Sequence, residues 1–107
     1  MKLLTKEIKR ALPKLYETEN ISLNEKVVIA KFFLGHLTWY VIEGQEEEDG
    51  EFIFWGYVKN EADDFCSEFG YFSLQELESV RLAGIFPVER DLHFKKDKLV
   101  NLIDKEF

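Results

Sequence analysis

Between Val27 and Lys59 the chain carries three apolar runs joined by links too short for parallel pairing. Val27–Leu34 is β-branched and aromatic, with only Lys31 breaking the run. Gly35-His36 separates it from Leu37–Glu43, where Leu37, Trp39 and Val41 alternate with Thr38, Tyr40 and Ile42. A Gly-X pair between such runs is the pattern of a type II′ hairpin, because glycine supplies the positive φ at the first central position. The GQEEEDG turn at Gly44–Gly50 follows. A third run, Phe52–Lys59, then sets Ile53, Trp55 and Tyr57 on one face and Phe52, Phe54 and Val58 on the other. Gly56 interrupts that second face, which marks a bulge or the close approach of a neighbour. A polar turn over Lys59–Asp64 leads to a fourth run, Phe65–Phe72. Parallel strands need a crossover of a dozen or more residues, so these links imply a four-stranded antiparallel meander.

Helix signals flank the strands. Thr5 is placed to cap a helix over Lys6–Leu12 whose apolar side is Leu4, Ile8, Ala11, Leu12 and Leu15, with Lys2, Lys6, Lys9 and Arg10 opposite. Pro13 ends it by forcing the preceding residue out of the α region. Ser73-Leu74-Gln75-Glu76 is a capping box at the start of a second helix, with Leu74, Leu77 and Val80 as its buried stripe. Asp97 is expected to cap a short last helix that buries Leu99, Leu102 and Ile103. The fold class is therefore α+β: one domain over residues 1–107, with the meander packed against an N-terminal helix, a capped central helix and a short C-terminal helix. At 107 residues, 46% of them hydrophobic and ten of them Phe, the chain can bury a core without staples.

Charge is distributed unevenly. Residues 43–68 hold ten carboxylates against Lys59 alone, a balance of −9 in a chain of net charge −7. Nucleic-acid binding depends on neutralising phosphates with Lys and Arg, so direct binding of nucleic acid is disfavoured. The residues expected to meet a basic partner are Glu46, Glu47, Glu48, Asp49, Asp63 and Asp64. Cys66, the single cysteine, excludes an internal disulfide and a Cys-based zinc site; between Phe65 and Phe69 it reads as a small core hydrophobe. Leu3-Leu4 is followed within three residues by Lys6 and Glu7 and no apolar run could span a bilayer, so the expected compartment is the cytoplasm.

Three constellations could carry chemistry. Glu89, Asp91 and His93 would point the same way if Glu89–Phe94 were extended, but residues two apart start roughly 7 Å from each other, too far for three to hold one ion. No metal or cofactor is expected. Arg90 would share a strand face with Leu92 and Phe94, so its guanidinium needs a carboxylate, and Glu78 on the capped helix is the candidate partner in an ion pair. The aromatic set Trp39, Tyr40, Trp55, Tyr57 and Tyr71 could stack bases, but acids rather than Lys and Arg lie between the rings, which favours core packing. Nucleotide-binding and hydrolase motifs are missing. If the chain were an enzyme or ligand binder, Arg81, Arg90, Asp91 and His93 would surround a pocket by the capped helix. A dimeric structural module is a further reading.

Five segments carry a family resemblance: LPKLY at Leu12–Tyr16, VVIAKFF at Val27–Phe33, WYV at Trp39–Val41, GYFSLQELESVR at Gly70–Arg81 and ERDLHF at Glu89–Phe94. Together they resemble a small bacterial domain-of-unknown-function family carried on conjugative plasmids, integrative elements and phages. The likeness spans nearly the whole chain and brings no catalytic or binding residues with it. This chain departs from the family pattern in the longer, more acidic Gly44–Glu51 and Lys59–Glu68. The setting implied by the resemblance, joined to the acidic turns, leads to an expected role: a non-enzymatic protein-binding accessory of a mobile element. Its partner would be a basic host protein or nucleoprotein, and it would act as an inhibitor of the anti-CRISPR or anti-restriction type.

Overall fold

A computed structural model describes all 107 residues. Helix α1 (Lys6–Ala11) starts where the Thr5 hydroxyl accepts a hydrogen bond from the Ile8 amide at 3.1 Å, and stops at Leu12, extended before Pro13. A 3-10 turn at Leu23–Glu25 leads into β1 (Val27–Val28) and β2 (Ala30–Leu34), so the first apolar run is broken at Ile29 into two strands. The hairpin strands β3 (Leu37–Glu46) and β4 (Phe52–Asn60) follow, then a 3-10 turn at Asp64–Cys66 and β5 (Glu68–Ser73). Gly35 has φ of 57° while His36 stays at negative φ, as the two-residue turn between Leu34 and Leu37 requires.

Helix α2 (Leu74–Ser79) begins at the Ser73 cap, whose hydroxyl accepts from the Glu76 amide at 3.0 Å. It ends a residue earlier than the apolar stripe suggested, leaving Val80 at its C-terminal cap and exposed. A small hairpin of β6 (Arg81–Leu82) and β7 (Phe86–Pro87) comes next, then β8 (Glu89–Arg90), β9 (Asp97–Lys98) and α3 (Leu99–Leu102). No helix is long and apolar enough to cross a membrane.

The main sheet is antiparallel with strand order β5-β4-β3-β2-β8. Four of its strands form the expected meander. The fifth is an addition: Glu89 and Arg90 pair with Phe33 and Phe32 on the outer edge of β2. Extended pairing ends there because Asp91 turns the chain, its carboxylate accepting from the His93 amide at 3.0 Å. The expected strand to Phe94 is thus two residues long, and Glu89, Asp91 and His93 do not form a row. Asp97 is not a helix cap either. It pairs with Val28 in a separate ribbon of β1 and β9, and the cap position of α3 falls on Lys98.

Both faces of the sheet are covered. On one, Phe32, Val41 and Phe54 are fully buried beneath Leu3, Leu12 and Leu77 from the N-terminal segment and α2. On the other, Ile42 and Tyr57 pack with Val28, Leu99 and Ile103. The pairing shifts between Val41, opposite Gly56, and Glu43, opposite Trp55. Simple alternation would place Glu43 on the Val41 side; the bulge at Ile42 turns it instead to the face that Ile42 and Trp55 share.

Candidate functional site

The register of β3 on β4 runs from Leu37 opposite Asn60 to Glu46 opposite Phe52. The two acidic turns therefore close opposite ends of the sheet, roughly 30 Å apart at about 3.3 Å per residue. At the first turn Glu46 pairs with Lys9 of α1 at 3.1 Å, and the Asp49 carboxylate accepts from the Glu51 amide at 2.9 Å. Glu47, Glu48 and Asp49 belong to none of the five ion pairs. At the second turn Asp64 meets Lys59 at 3.2 Å and Lys105 at 3.3 Å, and those ammonium groups hold its carboxyl below the usual range. Asp63 is occupied locally, accepting from the Phe65 amide and the Cys66 thiol. The six carboxylates proposed for binding thus do not form a single negative face.

Cys66 is exposed rather than a core residue, and Phe65 is 97% exposed. Their segment is a turn tied by the Asn60 and Asp63 side chains beyond the end of the sheet, where no layer covers it. Hydrogen bonding to Asp63 and the charge of that carboxylate push the Cys66 thiol up. Accessible as it is, Cys66 is expected to react with iodoacetamide near neutral pH more slowly than a free cysteine. Asp63→Asn is expected to speed the reaction several-fold by removing the charge that disfavours the thiolate; an unchanged or slower rate would contradict this account.

The same end of the sheet gathers the exposed apolar side chains of the β6–β7 hairpin. Leu82, Ile85 and Phe86 are 48%, 72% and 57% exposed, and Phe33 beside them is 37% exposed. The hairpin tip holds two successive residues at positive φ, Ala83 at 53° and Gly84 at 72°. A side chain built at Gly35 would lie 3.2 Å from Leu82 Cδ2, which places the hairpin against the Gly35-His36 turn. The Glu61 amide donates to the His36 carbonyl at 2.8 Å, which places the second acidic turn against it from the other side. Apolar hairpin, tight turn and acidic turn are neighbours.

The residues proposed for a pocket by the capped helix are divided. Arg81 Nη1 donates to the carbonyls of Glu78 and Val80, each at 2.8 Å. Glu78 and Arg81 line a cavity with Met1 and Leu3 that Arg90 does not line. Arg90 and Glu78 form no ion pair; β8 places Arg90 opposite Phe32 on the outer edge of β2. Arg90 instead lines a cavity of about 270 Å³ between α1, residues 29–31 and residues 90–96. Its Nη1 is buried without a hydrogen-bond partner. Asp91 lines the same cavity and lies 3.9 Å from Lys31. His93 is exposed outside it. No cluster of three His, Cys, Asp or Glu side chains could hold a metal ion.

One buried polar network has no counterpart in the candidates read from the sequence. Glu43, only 5% exposed, accepts from the amides of Tyr16 at 2.9 Å and Thr18 at 3.1 Å and from the Thr18 hydroxyl. Lys26, 4% exposed, donates to the Thr18 carbonyl and to its hydroxyl oxygen, and its ammonium sits 5.4 Å from the centre of the Trp55 ring. The carboxylate and ammonium thereby fasten the connection after α1 onto the sheet. Tyr16 is held at φ 72° where its amide reaches Glu43, and the Tyr16 hydroxyl raises the pKa of the adjacent Tyr71. The available signal was an acid at the end of an apolar strand.

These features define an α+β domain: a five-stranded antiparallel sheet covered on both faces, with an apolar hairpin at one end and a cation-lined cavity at one edge. Residues 3–104 match the family described as "Protein of unknown function (DUF2958)", and the chain belongs to it. No curated protein and no solved structure matches the chain.

Proposed function

We propose that this protein is a non-enzymatic binding module that docks a basic protein at the end of the sheet formed by the β6–β7 hairpin and the Glu61–Ser67 turn. The observation that carries this reading is the exposure of Ile85 and Phe86 at a hairpin tip beside a carboxylate-bearing turn. Apolar patches with a polar rim are characteristic of association surfaces, where a few large side chains anchor and rim charges select the partner. Leu82, Ile85 and Phe86 supply the anchors; Glu61, Asp63, Glu68 and Glu89 supply the negative rim. Asp64 contributes less because two lysines already face it.

The partner that fits is a protein whose positive groove ordinarily takes phosphate, with an apolar recess beside it. In a chain resembling proteins of mobile elements, that describes a host nucleic-acid-targeting defence protein, and occupation of its groove would inhibit it. Immobilised protein is expected to retain such a partner from host lysate at low salt and to release it at high salt. Ile85→Asp with Phe86→Ser is expected to abolish retention at both salts, and Glu61→Gln with Asp63→Asn to weaken it chiefly at low salt. Neutralising Glu47, Glu48 and Asp49 at the far turn is expected to change little. Retention unaffected by the hairpin variant would overturn this docking surface, and light scattering that found a dimer for the unaltered chain and a monomer for the hairpin variant would replace the foreign partner with a second copy.

A further inference from the structure

We propose that the cavity beside Arg90 is a binding site for a small monocarboxylate with an apolar body. A guanidinium offers five donors and no acceptor, and a partly buried one without an ion pair is matched by an anion. Arg90 enters none of the protein's five ion pairs, and its Nη1 is out of solvent with no partner. Nη1 itself is enclosed by protein, but Nε and Nη2 make no hydrogen bond within the chain, which leaves that side of the guanidinium to an outside anion.

The surroundings select the ligand's charge and shape. Lys31 and Lys96 line the cavity with Arg90, against Glu7 and Asp91, a local balance of +1 in a chain whose total is −7. One negative charge is matched there, whereas a second would face the two carboxylates. The Nε–H and Nη2–H side of a guanidinium is a planar fork that donates two parallel hydrogen bonds to a carboxylate. Ile8, Ile29 and Phe94 supply apolar wall, and about 270 Å³ suits a molecule the size of one substituted ring. The site lies on the edge of β2 and does not depend on the hairpin surface proposed above.

The test is a titration of the full chain with benzoate, followed by NMR at the Arg90 Nε–H and at the amides of Ile29 and Phe94. Saturable shifts of these signals are expected, with binding at least tenfold weaker in Arg90→Lys and lost in Arg90→Gln. Lys96→Gln, an exposed change at the rim, is expected to weaken binding several-fold and leave the fold intact, so the proposal stays testable if Arg90→Gln does not fold. Inorganic phosphate is the second probe and is expected to bind at least tenfold more weakly than benzoate. Phosphate binding as tightly as benzoate would overturn the choice of a monocarboxylate. No saturable shift with either probe, or shifts that saturate at the same benzoate concentration in Arg90→Lys and Lys96→Gln as in the unaltered chain, would overturn the site.

Discussion

Gly56→Ala is expected to lower stability by ~3 kcal/mol or more, at or beyond the upper end of overpacking costs. A Cβ at this position would lie 1.9 Å from the Tyr40 carbonyl oxygen, 3.0 Å from its carbon and 3.2 Å from Val41 Cα. All three are backbone atoms of β3, and no side-chain rotation can make room. The glycine is required by space, since its φ is not positive. At about 4 °C per kcal/mol, Tm should fall by roughly 12 °C or more. Gly70→Ala is the control: its Cβ would meet nothing within 4 Å, and inside β5 it should be neutral or stabilise by up to ~1 kcal/mol. If the two variants melted together, the close approach of Tyr40 would be refuted.

Glu43→Ala is the second large loss, expected to reach ~3–5 kcal/mol, the range for breaking a buried charged network by removing one member. The carboxylate takes three hydrogen bonds, from the Tyr16 amide, the Thr18 amide and the Thr18 hydroxyl. Alanine would leave all three donors without an acceptor and the buried Lys26 ammonium without its nearby anion. Glu43→Gln keeps one acceptor but presents an NH₂ to the donors, so its loss should be intermediate. Because Lys26 and Glu43 act through Thr18, Lys26→Met and Glu43→Gln should be non-additive by about 1 kcal/mol in a urea double-mutant cycle. Additive losses would separate the lysine from the carboxylate. Proteolysis is a second readout, with cleavage expected to rise within residues 14–22 in Glu43→Ala.

What could be read from residues alone divides along physical lines. Alternation and link length placed β2, β3, β4 and β5 in order, because period-2 burial and short turns are local properties. Ser73 and Thr5 were legible as caps for the same reason. β8 was not: its two paired residues join an edge more than fifty positions earlier in the chain, and the Asp91 turn that shortens it competes with extension within three residues. Arg90 was expected to pair with Glu78, but no such ion pair forms, and Arg90 stands on the edge of β2. Phe65 and Cys66 look like core by composition, yet they occupy a turn with nothing over it. Glu43 was counted with the acidic surface because its donors come from the connection after α1 and its orientation comes from a bulge. Summed charge over residues 43–68 therefore concealed three different situations: a buried acid, acids paired with lysine, and acids facing water.

The ladders Val27–Lys98 and Phe32–Arg90 join the first third of the chain to the last. Closing such distant pairs sacrifices chain freedom before any contact repays it, which places folding on a scale of roughly milliseconds to seconds instead of microseconds. During synthesis on the ribosome, β2 must wait with its outer edge bare until Glu89 and Arg90 emerge. In that interval the bare edge of the nascent meander is open to pairing with another strand, so the rate at which the last third is translated bears directly on the yield of correctly paired sheet.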